Sequence, residues 1–129
     1  MIKRVLVVED SDATRSMIVS ALDDPERREV FEAASGFEAL RLLPRHLFDI
    51  IVTDVNMPDI NGLELIGFLK NHPQYKTIPI LVVSTEVAQE DVERALSLGS
   101  EDYVRKPFTP EQLCAAVDRL LEKKVSSAP

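Results

Sequence analysis

Glu9-Asp10, Asp54, Ser84-Thr85 and Lys106-Pro107 are the residues whose types could do chemistry together, and each group closes a short apolar run: Val5 to Val8, Ile50 to Val52, Ile80 to Val83 and Tyr103-Val104. A lone Asp behind such a run is ordinarily a helix cap or a solvated loop charge. Together the groups read differently. In an open α/β sheet, ligands bind outside the carboxyl ends of the strands, where neighbouring crossovers leave on opposite faces. Glu9, Asp10 and Asp54 crowded there would repel one another by about 4 kcal/mol per pair at ~4 Å and an effective dielectric of about 20. A divalent cation resolves the conflict. Oxygen-only donors favour a hard ion, and Mg²⁺ commonly takes one or two carboxylates, keeps waters and binds phosphate oxygens. The expected ligands are Asp10, Asp54 and the backbone carbonyl of Asn56, with Glu9 acting through water. An acidic cluster beside a lysine suits phosphoryl transfer, in which the metal and an ammonium neutralise the moving group while a positioned oxygen attacks in line. Asp54 is the candidate nucleophile.

The elements that must position these groups are legible. Val30 to Ala33 adds a fifth β-branched run to the four above, and helical spacing falls near 13 to 22, 36 to 44, 62 to 71, 88 to 98 and 110 to 123. Ser35-Gly36-Phe37-Glu38, Asn61-Gly62-Leu63-Glu64 and Thr109-Pro110-Glu111-Gln112 carry the signature of a capped helix start. Strict β-α alternation with fully apolar runs predicts a parallel sheet covered on both faces and linked by right-handed crossovers. The fold class is a doubly wound, five-stranded α/β sheet with five helices. Asp23-Asp24-Pro25-Glu26-Arg27-Arg28 reads as a solvated connection.

The chain has 129 residues, 45% hydrophobic, 29% charged and 5% aromatic, the balance of one globular domain with an aliphatic interior. Residues 1–124 are expected to form it, with 125–129 as a flexible tail. Fifteen Lys and Arg against 22 Asp and Glu leave a net charge of −7, which opposes binding to nucleic acid or anionic lipid. No apolar run approaches the roughly 18 residues of a membrane span, and a lone cysteine, Cys114, fits a buried helix residue in a reducing, cytoplasmic setting. His46 and His72 have no partner motif and are expected to be exposed.

Val7-Val8-Glu9-Asp10, Asp54-Val55-Asn56-Met57-Pro58-Asp59-Ile60-Asn61-Gly62, Ser84-Thr85 and Tyr103-Val104-Arg105-Lys106-Pro107-Phe108 together resemble the receiver domain of two-component response regulators. The resemblance is to the single-domain, chemotaxis-type (CheY-like) members and spans nearly the whole chain. It implies strand order 2-1-3-4-5 and a signalling switch that catalyses only its own phosphorylation and dephosphorylation. By the same resemblance, Asp54 takes a phosphoryl group from a sensor histidine kinase, Glu9 and Asp10 hold Mg²⁺, and Lys106, beside a cis Lys106-Pro107 bond, contacts the phosphoryl oxygens. Ser84 would turn toward the phosphate and Tyr103 swing inward behind it. Asn56, Thr85 and Glu86 would tune the phosphate's lifetime. A downstream protein would read the face of helix four, strand five and helix five, including Gln89, Arg94, Tyr103, Arg105 and Arg119, on a monomer or weak dimer. The chain departs from the commonest pattern at Glu9 (for Asp), Ser84 (for Thr) and Thr85 (for Ala or Gly).

A phosphate-sink or scaffold receiver in a phosphorelay would share all of these residues. A haloacid-dehalogenase-type phosphatase needs a second acid two residues after the nucleophile, where Asn56 cannot move protons. A flavodoxin-like FMN carrier wants a glycine- and hydroxyl-rich loop, where Ser11-Asp12-Ala13-Thr14 has an acid and no glycine.

Overall fold

A computed structural model describes residues 2–57, 59–85 and 89–126; Glu86 and residues 127–129 of the expected tail lie outside the described residues. Five strands, β1 (Lys3–Val8), β2 (Arg28–Ala33), β3 (Ile50–Asp54), β4 (Ile80–Thr85) and β5 (Asp102–Lys106), alternate with helices α1 (Asp12–Leu22), α2 (Gly36–Leu42), α3 (Gly62–Lys70), α4 (Gln89–Leu98) and α5 (Pro110–Ser126). The sheet is parallel throughout, in the order β2-β1-β3-β4-β5, as expected. Among the described residues, no helix is long and apolar enough to cross a membrane.

Alternation along each strand sorts the aliphatic side chains into two cores. Leu6, Val8, Ile51, Ile80 and Val82 pack with Ala39, Leu65, Ile66, Leu69 and Ala95 of α2, α3 and α4. Val5, Val7, Ile50, Val52, Leu81 and Val83 pack with Ile18 and Leu22 of α1 and with Leu113, Val117 and Leu120 of α5. The crossovers from β1 and β3 therefore cover opposite faces, and a crevice opens between the carboxyl ends of these two strands.

The caps form where expected. Asn61 and Glu64 make a reciprocal capping box, Thr109 and Gln112 exchange the same pair of bonds, and the Ser35 side chain accepts from the Glu38 amide. α2 stops at Leu42 and tightens into a 3₁₀ turn over Leu43–Arg45, because Pro44 lacks an N–H and its ring clashes with the preceding turn.

Three expectations fail. Arg28 does not belong to a solvated connection: it opens β2 at 6% exposure, donates to the Leu22 carbonyl and pairs with Asp118 of α5 at 2.8 Å. A partner 90 residues away cannot be read from local sequence. His46 and His72 are half-buried, not exposed. His46 packs against Phe31 and Phe48, and His72 against Phe68 and Tyr75, because an imidazole can cover aromatic surface with its ring and keep a polar edge wet. Cys114 is likewise half-buried, its Sγ 2.9 Å from the Ala21 carbonyl.

At the opposite end of the sheet from the crevice, Lys70 ends α3 by donating to the carbonyls of Lys76 and Ile78 and to Glu101. Glu101 in turn accepts from the Ile80 amide that starts β4. Gly99, at φ +123, lies against this lysine: a Cβ there would stand 2.9 Å from Lys70 Cγ.

Candidate functional site

The strand register brings the expected groups to one rim. Val8 is opposite Thr53, Asp54 opposite Val83, Ser84 opposite Arg105 and Thr85 opposite Lys106. Glu9, Asp54, Ser84 and Lys106 therefore sit side by side at the carboxyl ends of four neighbouring strands. Carboxylate oxygens of Glu9, Asp10 and Asp54 lie within 4.8 Å of one another. That donor set, three hard oxygens around one point in a crevice, fits Mg²⁺.

The acids are unequally restrained. Glu9 is 1% exposed; Lys106 Nζ donates to its Oε1 at 2.9 Å and the Ser11 amide to its Oε2 at 3.1 Å. Asp54 is 8% exposed, with Oδ1 accepting from the Val55 amide at 2.7 Å and Oδ2 from Lys106 Nζ at 3.3 Å. Asp10 is exposed. Burial pushes the Glu9 carboxyl above its ordinary pKa; the bonds from Lys106 and Ser11 oppose the shift, and the charge of Asp54 adds to it. Lys106 is itself raised: burial acts against its charge, but the bond to Glu9 and the negative charges of Asp54 and Glu9 outweigh that loss.

Ser84 is fully buried, and among the described residues its hydroxyl has no hydrogen-bond partner. A buried hydroxyl left unmatched costs roughly 1–3 kcal/mol, which a new acceptor at the rim would recover. Tyr103 is half-buried and packs against the core on the α4 side. By strand alternation Ser84 belongs to the same face, one step along from Val82, the residue opposite Tyr103. The Lys106-Pro107 bond is cis, as the resemblance implies. Asn56 lies exposed just after β3. On the expected partner face, Arg94, Arg105 and Arg119 are exposed, and Arg119 pairs with Asp102.

Two features escaped sequence reasoning. Asp59 reaches from the loop after β3 to the start of α2, accepting from the amides of Gly36 and Phe37. These bonds, that of Phe37 foremost, hold its carboxyl below the ordinary range. Arg15 donates to the Glu9 carbonyl at 2.9 Å. Asp59 had a signal in its spacing from Asp54, whereas Arg15 had none beyond Asp12 three residues before it.

Gly62 fixes how closely α3 approaches the nucleophile. Its amide donates to the Val55 carbonyl at 2.8 Å, and a Cβ would stand 2.2 Å from the Asp54 carbonyl oxygen and 2.8 Å from Val55 Cα. Backbone cannot yield as a side chain does, so Gly62→Ala is expected to cost about 3 kcal/mol in urea unfolding, at the upper end for overpacking. Gly67, in the same helix, has nothing within 4 Å of a Cβ, and Gly67→Ala is expected to stabilise by about 0.5–1 kcal/mol. Equal unfolding midpoints for the two variants would contradict the close approach.

Comparison with known proteins finds matches over most of the chain. Residues 5–118 match the family model of the response regulator receiver domain. A chemotaxis protein CheY homolog of Campylobacter jejuni is 37% identical over 119 residues, 92% of each chain. A probable transcriptional regulatory protein of Picosynechococcus is 38% identical over 128 residues, 94% of this chain; the chain spans about half of that relative (50%). The high-resolution structure of the chemotaxis response regulator CheY4 of Vibrio cholerae superposes with a TM-score of 0.84 at 37% identity, covering 93% of this chain and 99% of that one.

Proposed function

Because this chain belongs to the response regulator receiver domain family and is CheY-like over most of its length, we propose that it is a Mg²⁺-dependent phosphorylation switch with Asp54 as acceptor. The observation that carries this reading is the group of three carboxylates within 4.8 Å beside Lys106. Asp10, Asp54 and the Asn56 carbonyl would hold the ion, with Glu9 acting through water. When bound, Mg²⁺ supplies charge neutralisation for the carboxylates and the incoming phosphoryl oxygens.

Asp54 Oδ1 is held by the Val55 amide, and Oδ2 attacks. A bond forms from Oδ2 to phosphorus as the nitrogen–phosphorus bond of a kinase phosphohistidine breaks; the leaving imidazole keeps the electron pair and takes a proton from solvent. Lys106 Nζ, 3.3 Å from Oδ2, meets the charge of the arriving group. Phosphorylation adds roughly −1.5 to −2 charges and strong acceptor oxygens, to which the unmatched Ser84 hydroxyl turns. The space it leaves lies on the face that Tyr103 shares, and the ring moves inward, altering the α4–β5–α5 surface read by a downstream protein. Hydrolysis resets the switch: water attacks phosphorus, the bond to Oδ2 breaks, and Asn56, Thr85 and Glu86 control that water's approach. The setting is cytoplasmic and the upstream partner a sensor histidine kinase.

Incubation with acetyl phosphate and Mg²⁺ is expected to add one phosphoryl group per chain, stable in acid and labile to base and hydroxylamine. Chelation should prevent it. Incorporation undiminished by chelation, or resistant to hydroxylamine, would overturn the reading.

A further inference from the structure

Glu9 and Asp54 are aimed by bonds to their own carboxylates, but among the described residues no hydrogen bond or ion pair involves the Asp10 carboxylate. Its direction depends on the two peptides that flank it: the one to Ser11, whose amide donates to Glu9 Oε2, and the one that joins it to Glu9. Among the described residues this last peptide is held at one point: Arg15 Nη1 donates to the Glu9 carbonyl at 2.9 Å. The same guanidinium gives Nη2 to Asp12 at 2.6 Å and Nε to Glu32 of β2 at 3.1 Å. The side chain is only 17% exposed. Its planar fork is thus fixed by α1 on one side and β2 on the other, and its remaining edge fixes the end of β1. We infer that Arg15 is a positioning residue for the metal site, orienting the Glu9–Asp10 peptide so that Asp10 faces the ion.

The inference rests on the reading that the acidic group takes Mg²⁺, and it makes a prediction of unusual sign. Removing a cation beside three carboxylates should by charge alone tighten Mg²⁺ binding. Loss of an orienting partner instead weakens binding by about 10–100-fold. Calorimetric Mg²⁺ titration at about 0.15 M salt, where exposed charges are screened beyond about 8 Å, separates the two. Arg15→Met is expected to weaken binding at least about tenfold. Arg15→Lys, whose single ammonium cannot reproduce the fork, should fall between Met and the parent, and serves if the Met variant does not fold. An Asp12→Asn/Glu32→Gln double variant keeps the carbonyl bond and should stay within about threefold of the parent, because screened surface ion pairs are worth little. In metal-free protein, amide exchange at Asp10 and Ser11 should accelerate in Arg15→Met and not in the double variant. Unchanged or tighter Mg²⁺ binding by Arg15→Met, or a double variant as weak as Arg15→Met, would overturn the inference. A parent protein that binds no Mg²⁺ would instead remove the reading on which it rests.

Discussion

Asp54→Asn is expected to take up no phosphoryl group, from acetyl phosphate or from a phosphorylated kinase, with incorporation down by at least about a hundredfold. The substitution is nearly isosteric, and an Asn carbonyl can still accept the Val55 amide bond that now goes to Oδ1 at 2.7 Å, so the frame of the site stays in place. What disappears is the anionic oxygen. Its neighbours cannot replace it: both Glu9 oxygens already accept hydrogen bonds, and the buried Ser84 hydroxyl has, among the described residues, no partner to take its proton. Meanwhile one of three crowded negative charges is gone, and Asp54 is among the causes that raise Glu9. The metal-free variant should therefore unfold at the same urea concentration as the parent or higher. Phosphorus found on Glu9, Asp10 or Ser84 of the variant by mass spectrometry would remove Asp54 from its role.

Lys106→Met should act through stability as well as chemistry. Lys106 is the cation that matches Glu9, whose side chain is 1% exposed, and breaking a buried pair on one side costs about 3–5 kcal/mol. The Ser11 amide still serves Glu9, so about 3 kcal/mol is expected, or roughly 10 °C in melting temperature. The pH dependence gives the sharper test, measured in chelator. Glu9 titrates above its unfolded value of 4.5, so from pH 4.5 up to its folded value the native state holds more protons than the unfolded one, and stability falls as pH rises. Lys106 is raised from 10.5; its contribution is full below 10.5 and lost as pH climbs through the folded value. Lys106→Met removes that alkaline loss. It also removes a bond that lowers Glu9, so the acid-side decline must extend toward neutrality. Adding Glu9→Gln should flatten it. Equal urea midpoints at pH 5 and pH 8 in Lys106→Met would refute the account.

Most of the frame was legible because its signals are local. Val5 to Val8 and Ile80 to Val83 are buried on both faces, as unbroken apolar strands must be, and Asn61 and Thr109 cap helices at the expected residues. The site followed from the frame, since strand ends in a parallel sheet share one rim. What stayed hidden depends on contacts between distant residues. Arg28 resembles its neighbour Arg27 in sequence and shares Asp118 with it, but Arg28 alone of the two is buried, its guanidinium reaching the Leu22 carbonyl and, at 2.8 Å, Asp118. Arg15 lies on a helix face like any other arginine until β2 brings Glu32 within 3.1 Å. Ser84 was found as a strand-end hydroxyl, yet its missing partner is visible only in three dimensions.

The bonds Lys70 makes to Lys76, Ile78 and Glu101 bear on how a signal could travel. They moor the far end of α4, through Gly99 and Glu101, to the frame shared by α3 and β4, while the near end of α4 begins four residues after Thr85. A helix held at one end in this way would pivot near Gly99 if its other end were pushed. Any displacement passed to α4 from the β4 end would then be largest at Gln89 and smallest at Leu98.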